Sequence, residues 1–308
     1  MLMLQNFCVR RPHYELAQPR ALHWLCEQHS LAEATLKGLS ADEQQAFATR
    51  FAKLVERCAC GPDRIAKRGH VAADLGASAQ AGLYDVRRFP HGQGSAARSQ
   101  VFADVVNAYF EREFADEARA PSELIHVTCT GYVSPSGAQR LVANKGWGAV
   151  TQVTHAYHMG CYAAFPAILI AAGQLAVSAA LRPANTAPRV DIAHTELCTL
   201  HLDPSDHSAE QCVIQSLFAD GFVRYSLREL REIEGERGLE LLAVSQQILP
   251  DSADSMTWAV GDFGMHMALT RDVPERIAGA LRPFLTELFA KAGVGVAHAL
   301  RDAIVAVH

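Results

Sequence analysis

Cys161 is the residue in this sequence best placed to do covalent chemistry. It lies in AYHMGCYAAFPAILIAAG, residues 156–173, directly after a glycine and ahead of a long run of small and apolar side chains. Val150, Val153 and Thr154 upstream read as a buried strand. Pro166 is tolerated in a first helical turn, and 167–180 holds few helix breakers. The spacing predicts a tight strand-to-helix turn with Cys161 at or near a helix N-terminus. Free N–H groups and the helix dipole there favour a thiolate, the nucleophilic form of cysteine. A small buried cysteine in a core helix fits the same spacing.

Other side chains invite chemistry less directly. His155, His158, His194, His201 and His207 come from different strands and loops. None has HxxxH or HExxH helical spacing, so a metal centre is not expected. His158, three residues before Cys161, reads as a turn histidine or a tunnel-lining one. Cys58 and Cys60 are one residue apart, which is wrong for a CxxC zinc or redox motif. Arg64, Lys67, Arg68 and His70 form a basic stretch, either a solvated turn or a surface patch for a phosphorylated substrate handle. Asp220-Gly221 reads as a helix C-terminus with glycine in the left-handed conformation.

The elements that must position these residues alternate. Residues 14–58 have a helical pattern, and Ser40 with Glu43 makes a capping box for a helix over 41–57. Residues 71–95 are glycine-rich loop, and 97–115 is a second amphipathic helix. Strands are expected at 124–130, 149–155 and 190–195, with helices at 137–144 and from Cys161 between them. This is the rhythm of a layered α/β fold. Residues 200–206 are loop. Ser208 caps a helix over 209–217, and 222–227, 241–248 and 256–259 read as strands. Residues 261–270 form an extended hairpin, Pro274 opens a helix running to about Ala292, and 303–307 is an apolar strand.

The chain is 308 residues long, enough for one large domain or two. Net charge is −5, with no basic stripe, so neither nucleic acid nor an anionic membrane is an expected partner. The apolar run 161–181 is alanine-rich and interrupted by Gln174 and Ser178, which suits a core helix rather than a membrane span. Met1–Val9 lacks the basic and cleavage-site flanks of a signal peptide. Eight scattered cysteines suit free thiols in a reducing cytoplasm better than a disulfide framework.

Several stretches, taken in order, resemble type III polyketide synthases, the chalcone-synthase-like branch of the thiolase-fold condensing enzymes. VTCTGYVSPSG (127–137) is similar to the family's CTxxG-type strand end and dimer loop, and HMGCYAAFPAI (158–168) to its nucleophile segment. PSDHSAEQCVIQSLFADG (204–221) resembles the loop and helix closing on FGDG. GDFGMHMALTRDVPERI (261–277) resembles the strand pair before the DVP helix, and the terminal AVH the start of AHPGGP. The resemblance runs over roughly residues 5–308.

It implies a thiolase-like layered αβαβα fold built from two similar halves: 1–228 with the nucleophile, and 229–308 as the start of an incomplete second half. It implies Cys161 as the acyl-accepting cysteine and His308 as the catalytic histidine. The family's asparagine turn and its GFGPG-type loop would lie beyond His308, so the resemblance also implies a truncated chain. Thr130, Cys198, His201, Phe218 and Met267 fall on pocket positions, and Arg64, Lys67 and Arg68 would meet coenzyme A. Ala164 and Phe165 replace a usual glycine pair.

The implied activity is loading of an acyl-CoA starter on cysteine and decarboxylative Claisen extension with malonyl-CoA. No cofactor is needed beyond these substrates, and the protein would be a cytoplasmic homodimer. A ketoacyl-synthase-III-like single-condensation acyltransferase and a catalytically silent partner subunit are the alternatives.

Overall fold

Serine side chains set three of the helix starts. Ser40 Oγ accepts from the Glu43 amide (3.4 Å) while Glu43 accepts from the Ser40 amide (2.9 Å). Ser136 and Gln139 form the same reciprocal pair, and Ser208 accepts from the Gln211 amide (3.2 Å). The structure is a computed structural model that describes residues 1–76, 82–181, 188–230, 237–302 and 304. His308 and the strand expected at 303–307 lie outside the described residues, apart from Ile304.

In chain order the elements are β1 (Leu2–Arg10), β2 (Tyr14–Ala17), α1 (Gln18–Lys37), α2 (Ala41–Cys58), β3 (Lys67–His70), α3 (Ser95–Glu113) and β4 (Glu123–Thr128). There follow α4 (Gly137–Asn144), β5 (Gln152–Tyr157), α5 (Ala164–Leu181), β6 (Arg189–Leu197), a 3-10 turn (Cys198–His201), α6 (Ala209–Leu217) and β7 (Asp220–Glu229). The last are β8 (Leu239–Glu240), β9 (Met256–Gly261), β10 (Gly264–Leu269), α7 (Val273–Lys291) and α8 (Val296–Asp302).

Six strands form one mixed sheet in the order β5-β4-β6-β7-β1-β8. β4 runs parallel to both β5 and β6, and β6–β7, β7–β1 and β1–β8 pair antiparallel. From β4 the chain crosses through α4 to β5 on one side, then through α5 to β6 on the other. The strand order therefore reverses at β4, and in open α/β sheets the crevice beyond the carboxyl ends at such a reversal is where ligands bind.

At that point β4 and β6 are largely buried, while β5 at the sheet edge is half-exposed. All six residues of β4 are buried. One face packs Ile125, Val127, Ile192, Tyr225 and Leu227 against Ala167, Ala171 and Leu175 of α5. The alanines, with no exposed surface, let that helix approach closely. The other face packs Leu124, Ala193, Leu197 and Phe222 against Tyr109, Phe110 and Phe114, from α3 and the residue that caps it, and Leu141 of α4. Each fully buried side chain of this size stabilises by roughly 1.5–3 kcal/mol. A third cluster (Phe51, Val55 and Cys212) joins α2 to α6.

Four expectations differ from the structure. Tyr14–Ala17 is a strand rather than the start of a helix, because it pairs with β3 before Pro19 opens α1. β1 was not anticipated, although its pairing with β7 is among the most extensive in the sheet. Residues 241–248 are not a strand: Leu241 N–H still donates to Leu2 O (2.9 Å), and Leu241 and Val244 pack on the α5-side cluster, but the ladder to β1 ends at Glu240 among the described residues. Asp220 and Gly221 open β7 instead of closing α6, and Gly221 is not left-handed.

At Gly131, two residues past Cys129, the backbone passes against Phe102 so closely that an added Cβ would overlap the ring. Gly131→Ala should therefore destabilise the protein by about 1–3 kcal/mol or more. Combining it with Phe102→Leu should recover part of the loss, read as the midpoint of chemical denaturation.

Candidate active site

The parallel strands β4, β5 and β6 deliver Cys129, the turn 158–163 and Cys198 to one edge of the sheet. The turn into α5 is as tight as the sequence suggests. His158 and Gly160 both take left-handed φ (53° and 79°), and Ala163 N–H closes the turn on Gly160 O (3.1 Å). A glycine suits the second position because it takes that conformation without strain. Cys161 sits three residues before α5 and is exposed.

The turn hangs from β4. His158 N–H donates to Thr128 O (3.0 Å), and Gly160 N–H donates to Cys129 Sγ (3.2 Å). The Cys129–Thr130 pair is itself held at nearly every polar atom. Cys129 N–H donates to both carboxyl oxygens of Glu196 (3.0 Å each), and Cys129 O accepts from Trp258 Nε1 (2.6 Å). Thr130 N–H donates to Thr128 Oγ1 (3.1 Å). Thr130 Oγ1 donates to Glu196 Oε2 (3.1 Å) and accepts from Leu197 N–H (2.8 Å). Thr130 O accepts from His201 Nε2 (2.8 Å), whose Nδ1 accepts from Met265 N–H (3.1 Å). Both His201 nitrogens are thus assigned to the neutral ring, and burial pushes its pKa down to about 4.

The β9–β10 hairpin roofs this edge. Met267 pairs with Trp258 across it and is buried, with its carbonyl accepting from Gln211 Nε2 (2.8 Å). Trp258 also stands edge-on to His201, with ring centroids 5.6 Å apart.

The electrostatics are dominated by negative groups. Burial pushes the Glu196 carboxyl up to about 7, against the opposing pull of its hydrogen bonds. The Cys161 thiol lies above its ordinary value, first through burial around the sulfur and then through Glu196. Cys129 is pushed up to about 11 and Cys198 lies well above its ordinary value, both by burial first and Glu196 second. Desolvation and a neighbouring carboxyl thus oppose the thiolate that a helix terminus favours.

The structure thus brings Cys161, Thr130, Cys198, His201 and Met267 to one edge of the fold, with Cys129, Glu196 and Trp258, which the sequence reading did not single out. Phe218 caps α6 half-buried, and its carbonyl accepts from Arg68 (2.7 Å). Arg68 is not part of a surface patch. It is buried, and it donates to Gln18 Oε1 (2.8 Å) and to the Gln215 and Phe218 carbonyls, because it fills the seam between β3 and the end of α6. Arg64 and Lys67 are exposed, paired with Asp63 and Glu15. Among the described residues no group of three or more His, Cys, Asp or Glu is arranged to hold a metal ion, and no helix is long and apolar enough to cross a membrane.

Known proteins resemble this chain in sequence and in fold. The chain is similar to the 1,3,6,8-tetrahydroxynaphthalene synthase of Streptomyces griseus, 28% identical over 182 residues that cover 58% of this chain and 45% of that protein. It is also similar to the Streptomyces coelicolor synthase of the same name, 27% identical over 199 residues covering 64% and 49%. In solved structures it overlays the C-terminal type III polyketide synthase domain of Steely1 from Dictyostelium, with a TM-score of 0.73 at 20% identity, covering 99% of this chain and 76% of that one. PKS-I from the brown alga Ectocarpus siliculosus overlays with a TM-score of 0.74 at 19% identity, covering 96% and 74%.

The chain is a relative of the type III polyketide synthases. Its fold is theirs, the thiolase-like layered α/β fold that the ordered motifs implied. It matches no protein-family model, and its matches span about half the length of these curated relatives.

Within this type III polyketide synthase-like edge, Thr130 is the hub. Thr130→Val should leave the buried Leu197 amide unpaired and cost about 1–3 kcal/mol in denaturation experiments. Thr130→Ser, which keeps the hydroxyl, should cost clearly less.

Proposed function

We propose that this chain takes an acyl group from an acyl-CoA onto Cys161 and extends it by decarboxylative Claisen condensation with malonyl-CoA, to make a polyketide. The observation that carries this reading is Cys161 itself: an exposed thiol on a left-handed turn at the mouth of α5, hung from the carboxyl end of β4 in a type III polyketide synthase-like fold.

The chemistry requires a thiolate to attack the thioester carbonyl and expel coenzyme A. It then requires donors for the oxygen that becomes negative as CO2 leaves the malonyl unit. Cys161 supplies the first, and His308 is assigned to the second. Losing one such donor typically removes roughly 2.7–4 kcal/mol of transition-state stabilisation. Cys198, His201, Phe218 and Met267 are proposed to shape the acyl pocket with Thr130. Arg64 and Lys67 are proposed to meet the coenzyme A phosphates, while Arg68 holds the fold instead. No cofactor beyond the CoA substrates is invoked.

Residues 1–228 would form the nucleophile half and 229–308 the beginning of the second. The proposed assembly is a homodimer in the cytoplasm, and the edge of β5, paired on one side only among the described residues, is open to a second copy.

Incubation with a panel of acyl-CoA starters followed by intact and peptide mass spectrometry should show an acyl adduct on Cys161, and Cys161→Ala should show none. With malonyl-CoA added, cyclised tri- or tetraketides would separate this activity from that of a one-step acyltransferase. An adduct on another residue, or none from any starter, would overturn the reading.

A further inference from the structure

His29 of α1 and His207, in the loop that leads into α6, face each other nitrogen to nitrogen. The two Nδ1 atoms are 3.0 Å apart. His29 Nε2 lies 3.1 Å from Gln215 Oε1, and His207 Nε2 lies 3.2 Å from Glu33 Oε2. His29 is 1% exposed. Phe51 stacks on it, and Phe47 stands edge-on to His207.

Both outer partners are acceptors. Gln215 Nε2 donates to Asp203 O (3.0 Å), so the amide oxygen faces His29. Glu33 receives Lys37 on its other oxygen. Although burial pushes its carboxyl up, the Lys37 and His207 contacts hold it below the usual carboxylate range. Each outer ring nitrogen must therefore carry a hydrogen, and the two inner nitrogens need one between them. That is three ring protons, where two neutral imidazoles hold two. With only two, one of these contacts, at 3.0, 3.1 or 3.2 Å, lacks its hydrogen and sets acceptor against acceptor.

Charged and titratable groups reach the pair from every side. α1 supplies Glu33 and Lys37, and the loop supplies Asp203 and Asp206. Around Phe51 lie the thiols of Cys26, Cys58 and Cys212, from α1, α2 and α6. Burial pushes His29 down to about 4, so the extra charge belongs on His207. Burial acts against it there too, while Glu33 and Asp206 act for it.

We propose that His29 and His207 share a third ring proton and form a pH-sensitive latch that helps to seat α6 on α1. The latch reaches the edge described above through α6, whose Gln211 Nε2 donates to Met267 O (2.8 Å) and whose C-terminal cap is Phe218. The folded pair binds one proton more than two neutral histidines, which fixes the sign. Its stabilisation is full below the ordinary histidine value of about 6.5 and is lost as pH rises through the pair's own, higher value. Loss of the proton turns one contact repulsive and loosens residues 203–208 from α1. The inference is independent of the reading of Cys161.

Two measurements test it on the whole chain. Imidazole nitrogen NMR with isotope-labelled histidine, from about pH 5.5 to about pH 9, counts the ring protons. Amide hydrogen exchange at residues 212–218, corrected for its intrinsic pH dependence, reads the seating of α6. Both nitrogens of His207 should be protonated at about pH 6.5, and α6 protection should fall about tenfold in the same step that removes the shared proton. Glu33→Gln, which keeps an acceptor oxygen but no charge, should move that step down by about one pH unit. A His207 ring that is already neutral at about pH 6, or a deprotonation step that leaves α6 exchange unmoved, rejects the latch. If Glu33→Gln does not fold, the wild-type titration decides alone on those two outcomes.

Discussion

The carboxyl of Glu196 helps to fasten two strand ends together. It leaves β6 and takes the Cys129 amide and the Thr130 hydroxyl at the end of β4. A half-buried acid held by neutral donors is an expensive clasp, since desolvation opposes its charge and among the described residues no cation pairs with it. The structure compensates through the number of bonds it organises. With Thr130 in place, Leu197, His201 and Met265 fall into one connected network, and Trp258 closes it from the hairpin. Connected polar groups of this kind fix a single arrangement when every member is satisfied.

The nucleophile turn depends on that arrangement. Its two anchors are Thr128 O and Cys129 Sγ, and both belong to the clasped strand end. Sulfur is a weak acceptor, so the Gly160 bond guides the turn more than it holds it. The holding comes from packing behind it, where Ala163 and Ala167 are buried against the sheet. The exposed Cys161 is thus presented by a rigid support on a backbone that must turn left-handed at His158 and Gly160. That division of labour, a mobile-looking residue on an immobile base, suits a group that must meet a large substrate and keep its direction.

Much of this was legible in the residues. Ser40 with Glu43 and Ser208 with Gln211 announce helix starts because their hydrogen bonds are local. The Gly160–Cys161 turn is legible because apolar strand, glycine and alanine-rich helix follow one another without a gap. What stayed hidden depends on partners far along the chain. β1 pairs with residues more than two hundred positions away, so its strand character is only weakly marked locally. Arg68 looks like surface charge until α6 supplies two carbonyls to cover it. Glu196 lies just past the strand expected at 190–195, and only the meeting of β4 with β6 brings its carboxyl to the Cys129 amide.

The same meeting explains why a helix terminus is not enough to ionise the thiol. A terminal dipole contributes about half a charge of favourable potential that falls off within a turn. Cys161 lies three residues ahead of α5, beyond the strongest part of that field, while Glu196 carries a whole unit charge when ionised. Burial around the sulfur, with the Glu196 carboxyl second, outweighs what the helix terminus offers.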